Sequence, residues 1–172
     1  MALPLCHMNP YDVTSVTTTA QASVGQLYSY RGSTYMYVLN AGSGAGVAGE
    51  LGGIFLTTPV PGSITYVAAE WLDGTLGTVN PALGMCCYAT PAGSYAYVLR
   101  NGITTTDGTS TGTAFLKTDG GVVKGDYLVP DGGATPDGNC DTAVAGEEHG
   151  IVGYAIDDDT SGNLVIAHLN IK

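Results

Sequence analysis

From residue 27 onward the chain alternates short apolar runs with Gly, Pro, Asn and Asp. The runs LYSY, TYMYVL, GIFLTT, SITYVAAEWL, GMCCYA, SYAYVLR, TAFLKT, DYLVP, GIVGYAI and NLVIAHL are short and rich in Val, Leu, Ile and Tyr. They therefore read as strands. SITYVAAEWL alone competes as a helix, through VAAEWL, but Ile64, Tyr66 and Val67 favour strand. LYSY, the loop RGS and TYMYVL predict a hairpin in which Gly32 takes the backbone angles that a tight loop needs. Within YMYVL, Tyr35, Tyr37 and Leu39 fall on one face and Met36 and Val38 on the other. A strand apolar on both faces has to be covered on both.

Two of these phrases recur. YMYVLN at 35–40 returns as YAYVLR at 95–100, and GGIFLTT at 52–58 returns as GTAFLKT at 112–118, with the same offset of sixty positions. Further on the order persists while the register drifts: Asp73-Gly74 is answered by Asp131-Gly132, and GMCCYA (84–89) by GIVGYA (150–155). The reading is an internal duplication, with copies at 27–90 and 91–172. Four or so strands per copy do not shield two faces alone. The expected fold is all-β: an internally duplicated, Gly-rich β-sandwich or one or two small β-barrels. Residues 1–26 have a different texture, with Pro4, Pro10 and a Thr/Ser-rich stretch without helical period, and predict an extended N-terminal arm. Lacking a periodic apolar face, residues 1–20 are expected to be dispensable for folding of the β domain, because ordering them costs roughly 1–2 kcal/mol of backbone entropy per residue.

Composition sharpens this picture. Only 12% of the 172 residues are charged, 26 are Gly and 11 are Tyr, which is the profile of a folded Gly-rich β protein and not of a disordered one. The formal net charge is −10, and such a surface repels phosphate backbones and anionic lipid, so neither nucleic acid nor membrane is expected as a partner. The opening MALPLCHMNP lacks a basic n-region and an apolar h-region, and the expectation is synthesis in a cytoplasm without processing.

Candidate chemistry is sparse. Asp157, Asp159, Ser161 and Gly162 match the early spacing of a calcium loop, but position twelve is His168 where a bidentate Glu belongs, and strands flank the phrase. DDDTSGN reads as a polar hairpin turn with positive φ at Gly162. Cys86 or Cys87 with His149 and Glu147, Glu148 or Asp141 has the residue types of a thiol hydrolase without any signature motif. Adjacent cysteines in an apolar strand are first of all packing residues, and the four cysteines Cys6, Cys86, Cys87 and Cys140 are expected to be reduced. Carboxylate pairs drawn from Glu50, Glu70, Glu147 and Glu148 carry no signal in so acidic a chain. GSGAGVAG (42–49) lacks the following GK[ST] of a phosphate loop and reads as an inter-strand loop. Trp71 is read as core. No catalytic, cofactor or metal residue is assigned.

One stretch carries a family likeness. GGVVKGDYLVPDGGATPDGNCDTAVAGEEHGIVGYAIDDDTSGNLVIAHL resembles the decoration, or cement, proteins of tailed-bacteriophage capsids, in the order GDYLV, a Gly/Asp/Pro loop, GIVGYAI, a polar turn and a closing strand. The resemblance covers the last third of the chain well and the first copy loosely. It implies a virion protein without chemistry of its own, on the outer surface of an icosahedral shell, stapling neighbouring capsomers through contacts with the major capsid protein. It also implies self-association, as a homotrimer or failing that a dimer, and a lattice-contacting N-terminal segment, placing Leu3, Leu5, Tyr11, Val13 and Val16 at the contact. The competing reading is a carbohydrate- or receptor-binding β module of a fibre or surface protein, using exposed tyrosines and Trp71.

Overall fold

A computed structural model describes residues 15–40, 45–54, 69–71, 82–104, 115–131, 138–147, 150–160 and 163–171. The chain is all-β, with no helix among the described residues. In order the strands are β1 (Leu27–Tyr30), β2 (Ser33–Leu39), β3 (Leu51–Ile54), β4 (Ala69–Trp71), β5 (Ala82–Cys86), β6 (Tyr95–Ile103), β7 (Leu116–Lys117), β8 (Tyr127–Pro130), β9 (Cys140–Thr142), β10 (Gly153–Ala155), β11 (Leu164–Val165) and β12 (Ala167–Asn170). Ten of them form one antiparallel sheet in the order β4-β3-β5-β6-β12-β10-β8-β9, with β2 on β6 and β1 on β2, while β7 and β11 form a small separate pair. Among the described residues the sheet is open, ending in β4 and β9, and does not close into a barrel.

The β1–β2 hairpin turns at Arg31-Gly32, since Tyr30 pairs with Ser33. Both turn residues have positive φ, 49° and 81°, the requirement of the tight turn whose twist matches its strands. Gly32 tolerates this freely. Arg31 does so at a cost and lays its guanidinium 5.1 Å from the Tyr30 ring centre.

The two YxYVL phrases are hydrogen-bonded neighbours. Leu39 lies opposite Tyr95, Tyr37 opposite Tyr97 and Tyr35 opposite Leu99, so the strands are related by a local two-fold centred on Tyr37 and Tyr97. Those rings sit 5.0 Å apart, Tyr37 also stacks on Tyr95 at 5.8 Å, and Tyr28 reaches Tyr97 at 6.1 Å. Such aromatic contacts contribute about 0.5–1.5 kcal/mol each beyond area burial. The two-sided burial expected of YMYVL is met in β2 by Tyr35 and Tyr37 on one face and Val38 on the other, with Met36 and Leu39 half-buried. Its counterpart β6 buries Ala96 and Val98 on one face and Tyr97 and Leu99 on the other. The second repeat is harder to place: Ile54 belongs to β3, between β4 and β5, and Leu116–Lys117 to β7, beside β11, while 55–57 and 114 lie outside the described residues. Of SITYVAAEWL only Ala69–Trp71 is described, as strand β4; the Trp71 side chain lies outside the described set.

β6 has three partners. β2 runs along Tyr95–Asn101, β5 takes Val98–Leu99 and β12 takes Asn101–Ile103. A strand has two edges, and β2 overlaps both other partners, so β5 and β12 share the opposite edge in succession. The sheet forks there. Tyr35 pairs with Leu99 but Thr34 with Asn101, leaving Arg100 as the extra residue of a β-bulge, which bends and twists the strand locally. The two branches, β5-β3-β4 and β12-β10-β8-β9, enclose one core that includes Tyr35, Leu51, Met85, Leu99, Leu116, Leu128, Cys140, Val165 and Leu169. They meet again at the far side: Leu51 N donates to Gly138 O at 2.7 Å and Lys117 N to Gly49 O at 3.0 Å. There the Lys117 ammonium meets Glu50 Oε1 at 3.0 Å.

At the fork, Gly102 has φ +138°, and a Cβ built on it would collide with Ser33 Oγ and lie 2.8 Å from Ser33 Cβ. Gly102→Ala is expected to destabilise the fold by about 1–3 kcal/mol, read as a fall in the urea midpoint at unchanged slope. An unchanged midpoint would show that the fork tolerates a side chain there.

Candidate interaction surface

The sequence assigns partner contact to the N-terminal segment, and the described part of that segment lies on its own sheet. Thr17 and Tyr95 exchange two backbone hydrogen bonds of 3.0 and 2.7 Å, Gly25 N donates to Tyr37 O at 2.7 Å and Tyr37 N to Gln26 O at 2.9 Å. Gln21 N donates to the Tyr37 hydroxyl at 2.9 Å, and Ala22 and Val24 pack on the core. The Tyr37–Tyr97 centre thus draws residues 17–26 of the extended segment onto its own sheet. Val16 is half-buried beside Thr17. Leu3, Leu5, Tyr11 and Val13 lie outside the described residues.

A second surface comes from the C-terminal branch. Its strands alternate between a small or aliphatic inner residue and a larger outer one, as period-two geometry requires. On the inner face Leu128, Gly153, Leu169 and Gly102 succeed one another across β8, β10, β12 and β6, and all are buried. On the outer face the directly opposed residues are Tyr127, Tyr154, His168 and Ile103. Tyr127 is 61% exposed, Ile103 49% and Tyr154 43%. The Tyr154 and His168 rings stack face to face at 5.3 Å and 18°, with His168 Nδ1 buried. Beside the row, Asn101 Nδ2 donates to Asn170 Oδ1 at 3.2 Å. Sequence reading weighed His168 only as a failed calcium ligand and missed this row. The alternations GYA and AHL were the available signal, but lining the residues up needs the strand register.

The other singled-out residues have structural partners. Asp157 Oδ1 accepts from Ile166 N at 2.9 Å, Asp158 Oδ1 from Lys124 N at 2.9 Å, and Asp159 Oδ2 lies 3.5 Å from Thr118 Oγ1. The three carboxylates point to three different segments. Thr160 N donates to Leu164 O at 2.9 Å and Ile156 N to Ile166 O at 2.7 Å, the geometry of a hairpin turn, in which Asn163 has φ 54°. Gly162 and Ser161 lie outside the described residues. Glu50, besides its pair with Lys117, accepts from Val47 N at 3.3 Å through Oε2, within the stretch read as an inter-strand loop. Glu147 is an exposed turn residue accepting from Val144 N at 2.9 Å, while Glu70, Glu148 and His149 fall outside the described side chains.

Cys86, Cys87 and Cys140 are free and buried; Cys6 lies outside the described residues. Cys86 Sγ lies 3.2 Å from Tyr88 O and 3.5 Å from Thr90 Oγ1. Burial pushes its thiol up to about 11, against a weaker downward pull from the Thr90 hydrogen bond. Burial pushes the Cys87 and Cys140 thiols further up still, with neighbouring Cys86 and Asp119 adding to it. Raised in this way they stay neutral thiols at physiological pH, whereas the nucleophile is the thiolate.

No protein-family model matches the chain, and no curated protein matches its sequence. Among solved structures it is similar to the "head fiber gp8.5 N base in bacteriophage phi29", with a TM-score of 0.43 and 13% identity over 80% of this chain and 96% of that one.

Chelation is expected to leave the melting temperature unchanged, because a ligand stabilises only as ln(1 + [L]/Kd) and the Asp157–Asp159 carboxylates do not converge. A calcium-dependent rise of several degrees would overturn this. The thiols set a second expectation. An unfolded thiol ionises near pH 8.5, whereas folded Cys86 keeps its proton to about 11. Above the unfolded pKa the unfolded chain therefore binds fewer protons, and stability falls as pH rises. Stability is expected to be fully present below about pH 8 and to decline between about pH 9 and 11. Denaturant titrations of wild type and Cys86→Ala across that range check it, with a shallower decline in the variant.

Proposed function

We propose that this chain is a structural protein of a bacteriophage virion, which binds the outer surface of an icosahedral capsid and holds neighbouring capsomers together. The observation that carries the reading is where the cement-like phrases fall. GDYLV, GIVGYAI and NLVIAHL supply β8, β10 and β12, the strands that present the outward Tyr127–Tyr154–His168 row. A net charge of −10 suits an exterior position, away from packaged DNA. In this reading the protein has no chemistry of its own, associates with itself, and works by surface contact with the major capsid protein. The carbohydrate-binding alternative is less well served by this row, because the facing surfaces of Tyr154 and His168 are turned to each other and not outward as a flat platform.

The N-terminal segment divides the test. Residues 1–14 precede the Thr17–Tyr95 contact, so their deletion is expected to leave the melting temperature nearly unchanged while occupancy of capsids stripped of the protein falls at least about tenfold, the equivalent of ~1.4 kcal/mol. Deletion of 1–20 removes the Thr17 hydrogen bonds as well and is expected to cost about 1–2 kcal/mol of stability. Equal occupancy by full-length and truncated chains at limiting concentration would show that the staple lies elsewhere. Saturable binding to a glycan panel with none to capsids would replace the reading altogether.

A further inference from the structure

The outer row runs, at its β9 side, into a group of carboxylates. Ala143 N donates to Tyr127 O at 2.8 Å, placing Ala143 opposite Tyr127. Asp141, two residues earlier and opposite Val129, shares that face as a diagonal neighbour, a separation of about 7–8 Å. Val144, 64% exposed, follows Ala143, and Glu147 accepts from its backbone N–H. Asp126 precedes Tyr127 and accepts from Val123 N and from Thr142 Oγ1, each at 3.0 Å, while Asp141 Oδ1 accepts from Thr142 N at 2.6 Å. All three acids are held in place by uncharged donors. Among the described residues the ion pair is Lys117–Glu50, and none of the three acids is paired with a cation.

Electrostatics decides between occupants. A second copy docking face to face would bring Asp141 and Glu147 of both copies into one interface, in a molecule already carrying −10, and like-charge juxtaposition costs several kcal/mol. Anionic polymers are repelled for the same reason. A cation is attracted by the carboxylates and again by the Tyr127 ring, 61% exposed, since a tyrosine face favours a guanidinium or ammonium by about 0.5–1 kcal/mol at exposed sites. Exposed Val144, Ile103 and the tyrosine rings add apolar area for a neighbouring aliphatic side chain. We propose that the Tyr127–Tyr154–His168 face, with Asp141 and Glu147 at its margin, docks a basic segment of another protein that presents Arg or Lys beside an apolar residue. This deepens the reading of the chain as a binding protein and rests on it in needing a protein partner.

The probe is a short synthetic peptide of repeated Arg-Leu-Gly, with a Glu-Leu-Gly peptide as control, titrated into the full chain carrying isotope-labelled tyrosine and histidine. The Arg peptide is expected to shift the Tyr127, Tyr154 and His168 ring signals, and the Glu peptide none. Affinity is expected to fall about fivefold or more in Tyr127→Ser/Tyr154→Ser and to fall similarly in Asp141→Asn/Glu147→Gln, whose amide oxygens keep the acceptors and lose the charge. Undiminished binding by either double variant, shifts spread instead over the Asp157–Asp159 turn, or no shift at millimolar peptide would overturn the proposal. If the tyrosine variant fails to fold, the amide variant carries the test. Failure here leaves the capsid assay of residues 1–14 untouched, so the two readings fall separately.

Discussion

The pairing of β2 with β6 is the contact on which the rest of the molecule depends. It joins the hairpin at residues 27–39 to the longest strand, and its Tyr37–Tyr97 pair gathers Tyr28, Tyr95 and residues 17–26 around one aromatic centre. Tyr37 is used three ways: its ring packs on two tyrosines, its backbone bonds Gly25 and Gln26, and its hydroxyl accepts from Gln21. Removing the ring would loosen the incoming segment together with the core. The bulge at Arg100 comes at a local cost, since its Nε is enclosed without a hydrogen-bond partner and burial holds its guanidinium below the usual range. What the bulge provides is the fork, and without a fork one sheet has no second layer to close over its apolar face.

The far side explains why the fork does not splay. Glu50 and Lys117 form a half-shielded ion pair, a contact worth little by itself when exposed, but here it lies beside the Leu51–Gly138 and Lys117–Gly49 backbone bonds. β7, two residues long, reaches both branches: Lys117 bonds Gly49, and Thr118 and Asp119 run against Cys140. A short segment with low strand content therefore does the joining, and its neighbours Leu116, Val165 and Cys140, all fully buried, make the joint apolar inside and polar outside.

Strand class and the two-sided burial of YxYVL were legible because aromatic and β-branched residues on both faces leave a strand no exposed option. The hairpin at Gly32 was legible for a similar reason: few residues accept its backbone angles. That the two YxYVL copies pair with each other was not, because periodicity gives a strand's faces and says nothing of its neighbour. The fork escaped as well, since a bulge is one extra residue and Arg100 looks like any strand end. Where the extended segment at 1–26 would lie was not legible at Val16 and Thr17, because the Thr17 contact is made by backbone, which leaves no trace in side-chain pattern. Cys86 and Cys87 are buried, as adjacency in an apolar strand implies, and so is Cys140.

The exposed row is a by-product of the core it backs onto. Inner positions alternate Leu128, Gly153, Leu169 and Gly102 across four strands, so each leucine sits opposite a residue without a side chain. At Gly153 the spacing is so close that a Cβ would collide with His168 O and lie 3.0 Å from Leu169 Cα. Strands held that near bring the outer residues of β10 and β12 into ring contact, and the 5.3 Å stack of Tyr154 on His168 follows. The outer face thus inherits its order from the inner one. Side chains already immobilised by their neighbours lose little entropy when a partner arrives, and preorganisation of this kind favours affinity per unit area. A flexible loop with the same residues would have to be ordered first, which is why a binding surface gains from standing on the back of a tightly packed sheet.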